Sequence, residues 1–439
     1  MSDWQQVAFS DLQTPSCSQE TVPPQGGRDA MSAPTHDERA AKVRAGWVRA
    51  PLARFLTLNV ETVDVEPTRL YPTIGVLNRG RGLLYRDPVA GSSTSYKKLN
   101  RILPGMLIYS RLKAFEGAIT VTPDDLPESF ASQEFPTFAF ASDADPDFFR
   151  ILTTTQSMWD ALQGASKGMG GRRERVKPTD FLNIVMDIPP LPLQKRIVEI
   201  LDAVDDQISA LNTESEALEG ILESLRSDLP GADHQPISDV LLSIDSGKSI
   251  QAGGEASAED EYRILKLSAV QRGWFKPSEA KTVTEVAAFS PSHVVKNGDL
   301  LITRANTPER VGFIAIARNV PEGTFMPDLI WRLRVDESRV RTDYLEHALS
   351  SRELRASISG TAGGTSKSMV KINKRGFGTV RVPIPSLPEQ GEYVQRCDAV
   401  ARGIMATRAE EARLRRVRAG LLLGLLDRTI EIESAELGV

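Results

Sequence analysis

Cysteine and histidine are scarce in this chain. Two cysteines, Cys17 and Cys397, cannot frame a disulfide scaffold, and four scattered histidines give no zinc-ligand spacing. A reduced protein without structural metal is expected. No stretch approaches the roughly 18 consecutive apolar residues of a membrane span. The most apolar run, Leu421 to Leu426, is far too short. No basic-then-apolar leader opens the sequence, so a cytoplasmic location is expected. An excess of positive charge is also lacking: 53 Lys and Arg against 58 Asp and Glu leave a net charge of −5. Spread uniformly, that charge would count against a nucleic-acid partner, but its distribution matters more than its total.

Catalytic signatures are missing as well. Gly247-Lys248-Ser249 ends like a phosphate-binding loop, yet Leu242 stands where the first glycine is required. Asp145-Pro-Asp-Phe148 is a faint relative of an amino-methyltransferase motif, without its second proline and with no glycine-rich cofactor strand beside it. Glu279-Ala-Lys281 is half of a nuclease-like pattern without a well-placed partner acid for magnesium, and reads as a surface turn. No Gly-x-Ser-x-Gly elbow is found. No catalytic residue and no cofactor is therefore expected in this chain.

What the sequence does contain is a repeat. Phe181-Leu-Asn-Ile-Val-Met-Asp-Ile-Pro-Pro-Leu-Pro-Leu-Gln194 aligns without a gap on Phe377-Gly-Thr-Val-Arg-Val-Pro-Ile-Pro-Ser-Leu-Pro-Glu-Gln390, 196 residues later. The register continues from Val198 to Val394 and from Asp202-Ala-Val204 to Asp398-Ala-Val400. Upstream, Pro104-Gly-Met-Leu-Ile-Tyr-Ser-Arg111 resembles Asn297-Gly-Asp-Leu-Leu-Ile-Thr-Arg304 at an offset of 193, which implies a small insertion between the blocks.

Each repeat has the same order: short Val/Ile/Leu/Tyr/Phe runs broken by Gly, Pro and Asn, a Pro-containing strand exit, then a long helix. The first helix places Ile197, Leu201, Val204, Ile208, Leu211, Leu218, Leu222 and Leu225 in steps of three and four, with Ser215 the one polar gap. That spacing is a coiled-coil seam. From Gln194 to Leu229 the helix spans on the order of 50 Å at about 1.5 Å per residue, and Pro230-Gly231 stop it. The second, from about Glu389 to Leu426, has a weaker seam of Tyr393, Cys397, Val400, Ile404, Leu414 and Leu421. Residues 199–228 carry nine acids against Arg226 alone, whereas the second helix carries Arg396, Arg402, Arg408, Arg413, Arg415, Arg416 and Arg418. Opposite charges favour pairing the two helices with each other.

The fold expected is α+β: two β-rich domains, each followed by a long helix, the helices pairing as an antiparallel coiled coil with pseudo-twofold symmetry. The boundaries expected are a flexible extension (1–45), a first domain (46–190), a central helix (191–230), a second domain (231–386), a C-terminal helix (387–430) and a tail (431–439). Within the extension, the segment from Trp4 to Leu12 is a candidate ordered piece and Met31 a candidate start.

The duplicated Leu-Pro-x-Gln segment before a long helix (Pro190-Leu-Pro-Leu-Gln194 and Ser386-Leu-Pro-Glu-Gln390) resembles the specificity subunit of type I restriction-modification systems. The stretches from Gly46 to Leu52, Arg79 to Tyr85 and Ser132 to Phe138 are similar to one branch of its target-recognition domains. Ile244 to Ser249 and Gly298 to Arg304 are similar to another branch. The resemblance covers roughly 46–430. It departs from the family in its long N-terminal extension and in Gly391-Glu392, which stand where the first repeat has Lys195-Arg196. The resemblance implies that each domain reads one half of a bipartite, asymmetric double-stranded DNA site and that the helices fix the gap. Two modification subunits would methylate adenine with S-adenosylmethionine. Restriction subunits, where present, would use ATP and Mg for translocation and cleavage. All those activities and cofactors belong to partners.

Phosphate contacts by Lys and Arg position a protein on DNA, while Arg, Asn or Gln at base edges read sequence. Gly168 to Lys177 packs Arg172, Arg173, Arg175 and Lys177 beside glycines that permit close backbone approach. The repeat places Lys367, Lys371, Lys374 and Arg375 in the equivalent region. The remaining candidates are Arg79, Arg81, Lys97, Lys98, Arg111 and Lys113 in the first half, and Arg304, Asn306 and Arg310 in the second. A competing reading keeps the chain non-catalytic but makes it the assembly scaffold of another phage-defence complex, its β-rich domains binding protein.

Overall fold

The computed structural model describes residues 46–166, 175–231, 233–249, 253–257, 261–283, 289–363, 369–430 and 432. The expected extension (1–45), with Cys17 and the segment from Trp4 to Leu12, lies outside them, as does nearly all of the tail. The chain divides into two compact units, one running to Lys195 and one from Arg196 to Ile430.

The first unit opens with β1 (Val48–Pro51) and β2 (Leu56–Leu58). Four strands follow: β3 (Glu61–Asp64), β4 (Leu70–Val76), β5 (Leu83–Ala90) and β6 (Lys98–Ile102). Next come β7 (Leu107–Tyr109), β8 (Ile119–Val121), β9 (Ser129–Ala131) and β10 (Thr137–Phe140). Helices α1 (Pro146–Leu152), α2 (Gln156–Ala165) and α3 (Pro178–Leu182) lead to β11 (Val185–Ile188) and the long α4 (Leu191–Ser227). One sheet has the order β2-β10-β7-β8 and a second the order β3-β6-β9-β4-β5, while β1 pairs with β11. Tyr109, Phe138 and Phe181 are fully buried and meet with ring centroids 4.8–5.9 Å apart. Gly117, at φ +70°, is required where it stands, since a Cβ there would lie 2.7 Å from the Trp159 ring.

The second unit repeats this plan. It contains β12 (His234–Pro236), β13 (Leu241–Ser246), β14 (Arg263–Leu265), β15 (Val270–Gln271), β16 (Trp274–Phe275) and β17 (Ala280–Thr282). Then follow β18 (Leu300–Thr303), β19 (Ala305–Asn306), β20 (Ile314–Ile316), β21 (Thr324–Phe325) and β22 (Ile330–Val335). Its helices are α5 (Thr342–Leu349), α6 (Arg352–Gly360) and α7 (Lys374–Gly378). β23 (Val370–Lys371) precedes α7, and β24 (Arg381–Pro383) leads into α8 (Leu387–Leu426).

The sheet β13-β22-β18-β20 has the strand order of β2-β10-β7-β8, and every neighbour in both is antiparallel. The β12–β24 pair repeats β1–β11. The units differ in their second sheets, five-stranded in the first and three-stranded (β17-β14-β21) in the second.

The strongest sign of duplication is at the start of the long helices. Gln194 is fully buried, and its Oε1 accepts the Asp145 N–H at 2.7 Å. Its Nε2 donates to the carbonyls of Asp143 (3.0 Å) and Pro189 (2.9 Å). Gln390, equally buried, accepts from the Arg341 N–H at 2.8 Å and donates to the carbonyls of Arg339 (3.1 Å) and Pro385 (2.8 Å). All three partners are displaced by 196 residues. The prolines keep the carbonyls before the helix free of local hydrogen bonding, and the glutamine amide satisfies them.

Within the second unit, α8 runs antiparallel to α4. Tyr393 bonds to Arg226, Arg408 pairs with Glu219, and Arg418 with Asp205 at 2.7 Å. As one number rises the other falls. Every seam position expected in α4 is buried or half-buried, and Ser215 is buried too. In α8, Tyr393, Cys397 and Ile404 are buried, and Thr407 fills the step the weaker seam left open. The register brings Ser215 level with Thr407. Each buried Leu or Ile contributes about 1.5–3 kcal/mol, whereas an exposed ion pair contributes about 0–1, so the seam holds the pair and the charges choose the partner.

Two minor motifs resolve into structure. Asp145 caps α1, its Oδ1 accepting the Phe148 N–H at 3.0 Å with Pro146 at the first helical position. Of Glu279-Ala-Lys281, expected as a surface turn, Ala280 and Lys281 lie in β17 against β14, and the Glu279 carboxylate is held by Lys276 and Ser268 at 2.8 and 2.7 Å. The pairing partner lies some 17 residues back, beyond any local sequence window.

Candidate nucleic-acid interface

Arg111 leaves the end of β7. Its backbone N–H donates to the Glu134 carbonyl at 2.9 Å, and its own carbonyl accepts the Val176 N–H at 3.1 Å. The Glu134 carboxylate lies between two guanidinium groups, 3.9 Å from Arg111 and 3.2 Å from Arg175. Beneath them the Tyr109 hydroxyl donates to the Val176 carbonyl at 3.1 Å, and burial pushes it far above the usual tyrosine range, so it remains a donor. Asn78 and Arg79 join the segment 111–117 from one side. Glu116 lies 3.7 Å from the Lys113 ammonium, accepts from the Asn78 amide at 2.5 Å, and takes the Arg79 backbone N–H on its carbonyl at 3.2 Å.

This contact fixes the β4–β5 turn, in which Arg79 adopts a left-handed φ of 58° and spreads over Trp159 at 5.8 Å. Arg81 donates to the Asn78 carbonyl at 3.0 Å. Arg79, Arg81, Arg111, Lys113 and Arg175 are thus brought together, with Lys177 exposed just beyond. Lys97 and Lys98 are not part of this group. Lys97 precedes β6 and Lys98 begins it, 3.5 Å from Asp64.

The second unit builds the same ridge. Arg304 leaves β18, its N–H donates to the Leu329 carbonyl (2.9 Å), and its carbonyl accepts the Ile372 N–H (2.9 Å). Val176 and Ile372 are again 196 apart. Its guanidinium lies over Trp331 at 5.8 Å and 3.5 Å from the Asp328 carbonyl. β19 pairs Ala305 with Lys371 and Asn306 with Val370. Asn373 caps α7 with a 2.8 Å bond from the Gly376 N–H, which places Lys374 and Arg375 in its first turn, both exposed. Lys374 reaches the Ile244 carbonyl. Arg310 is exposed on the following loop. Arg172, Arg173 and Lys367 lie outside the described residues.

Glu134 was not singled out in the sequence, although it lies inside the Ser132 to Phe138 stretch. An acid between basic residues distant in sequence carries no local signal. Among the described residues no helix is long and apolar enough to cross a membrane. Cations on strand ends beside an amide side chain suit a phosphate backbone and base edges.

A family model for the type I restriction modification DNA specificity domain matches residues 89–220. The type I restriction enzyme EcoKI specificity subunit of Escherichia coli K12 is 25% identical over 253 residues, 53% of this chain and 54% of that one. The MjaVIII specificity subunit of Methanocaldococcus jannaschii is 22% identical over 303 residues, 62% of this chain and 68% of that one. A solved structure reported for complex assembly and conformational transition of the type I R-M system is 20% identical with a TM-score of 0.53, covering 87% of this chain and 98% of that one. The structural likeness establishes the fold: a duplicated α+β chain with two β-rich domains and long helices. The resemblance to type I specificity subunits holds, and the chain spans about half the length of the E. coli relative it matches.

Proposed function

We propose that this chain is the sequence-reading subunit of a type I restriction-modification complex. It binds double-stranded DNA through its two basic ridges and carries no catalytic centre of its own. The observation that supports this most is the equivalence of the ridges: Arg111 with Val176 in one unit, Arg304 with Ile372 in the other, on sheets of identical strand order. Two equivalent readers joined by a helical pair suit a bipartite site whose gap is set by the protein between the readers. Modification subunits bring S-adenosylmethionine and methylate adenine; restriction subunits, where present, bring ATP and Mg. No observation favours the protein-binding scaffold over this reading.

The test is reconstitution. Alone, the chain binds DNA in a salt-sensitive way and methylates nothing. With its modification partner it yields adenine methylation at one bipartite motif. Methylation without a defined motif, or no DNA binding even at low salt, overturns the reading.

A further inference from the structure

We infer that Glu223 and Arg226, near the C-terminal end of α4, are positioning residues that latch the second domain onto the helical pair and hold the gap between half-sites to one value. The inference rests on the DNA-reading function proposed above. Arg226 is the one base in the acidic stretch 199–228, and it is 95% buried, with 5% of its surface exposed. Its guanidinium lies 3.4 Å from Nδ1 of His347 on α5, and Nε2 of that ring lies 2.8 Å from the Asp398 carboxylate on α8. Arginine only donates, so Nδ1 accepts and the Nε2–H donates to Asp398. One chain of polar contacts thus runs from α4 through the domain to α8.

The Tyr393 hydroxyl donates to the Arg226 carbonyl at 3.2 Å. Gly273 makes room for the guanidinium, since a Cβ there would lie 2.1 Å from it. One turn earlier Glu223 pairs with Arg272, whose Nε donates to the Ser350 carbonyl at 2.6 Å, and stands 3.8 Å from Nε of Arg352. Within one helical turn α4 is therefore bonded to the 272–273 loop, to α5, to the start of α6 and to α8.

A buried ionic network is a poor source of stability, because desolvation consumes most of the attraction, and apolar residues of similar volume often serve as well. Nε of Arg226 has no partner although it is buried, which adds to that cost. What such a network supplies is direction: its bonds form at one rotation of the domain on the helices, whereas an apolar contact tolerates sliding. The positions related by the repeat are apolar. Ile151 corresponds to His347, Ala419 to Glu223 and Leu422 to Arg226. The latch belongs to the second repeat alone.

The test replaces the chain in its host with the double variant Arg226→Leu/His347→Ile, which copies the residues of the other repeat, and separately with Glu223→Gln, a smaller change. Methylated adenines are mapped genome-wide and thermal unfolding of the complex is recorded. Both half-sites should persist, while the gap splits between its original value and one a base pair longer or shorter, a displacement of about 3.4 Å. A single, unchanged gap in both variants, with the complex folded, overturns the latch. If the parent chain itself gives no bipartite motif, the DNA-reading function fails and the latch with it.

Discussion

The amides of Gln194 and Gln390 occupy the same cage, one N–H and two carbonyls, built twice from residues 196 apart. Replacing either with alanine strands three buried backbone groups. We expect a loss of about 3 kcal/mol or more from the unit concerned, since each of the three unsatisfied groups costs about 1–3 kcal/mol. Glutamate should do no better, because it loses the two donors the carbonyls need. Urea unfolding followed unit by unit checks this, and Gln194→Glu behaving like the parent would show that the cage is not required.

Salt dependence tests the ridges. Arg175→Ala and Lys371→Ala each remove one cation from equivalent places. If each touches a phosphate, the slope of log affinity against log salt falls by about 0.9 per residue. Arg175→Ala also frees Glu134 beside Arg111, so its affinity loss should exceed that of Lys371→Ala. Unchanged slopes would turn these faces away from DNA.

Seven residues inserted after Ser215 and seven after Thr407 would preserve the seam and lengthen the helical pair by roughly 10 Å, at about 1.5 Å per residue. That is close to three base pairs of about 3.4 Å. Methylation mapping should show the same half-sites with a longer gap. Altered half-sites at a fixed gap would remove the helices from the role of spacer.

Acid should weaken the second unit through Asp398. The His347 hydrogen bond holds its carboxyl below the usual aspartate range, assisted by Arg318 and Arg402. A group with a depressed folded pKa contributes stability above its unfolded value, about 3.9, and loses it as pH falls through the folded one. Asp398→Asn should therefore lower the urea midpoint at pH 7, and the difference from the parent should shrink as pH falls below about 3.9. A difference independent of pH would assign the aspartate a purely steric part.

How far the sequence carried depended on distance along the chain. The α4 seam was legible because Ile197 through Leu225 announce a period of three and four, a local property. The Leu-Pro-x-Gln segments were legible because duplication shows one chain twice. Arg226 could be counted as the lone base of the stretch 199–228, but its partner His347 lies 121 residues on. Glu134 stands between Arg111 and Arg175, 23 and 41 residues away, and neither spacing follows from a periodicity. The five-stranded and three-stranded sheets likewise differ by long-range pairings such as β4 with β9, which propensity does not encode.

The segregation of acid onto α4 and base onto α8 also has a consequence in time. Between Ser227 and Leu387 the ribosome must add 160 residues, which at about 5–20 residues per second takes roughly 8–30 s. Throughout that interval a newborn α4 displays an apolar stripe with no mate. Eight acids along it make two such helices from neighbouring nascent chains repel, so the stripe waits in solvent unclaimed until the arginine-rich helix of the same polypeptide emerges to cover it.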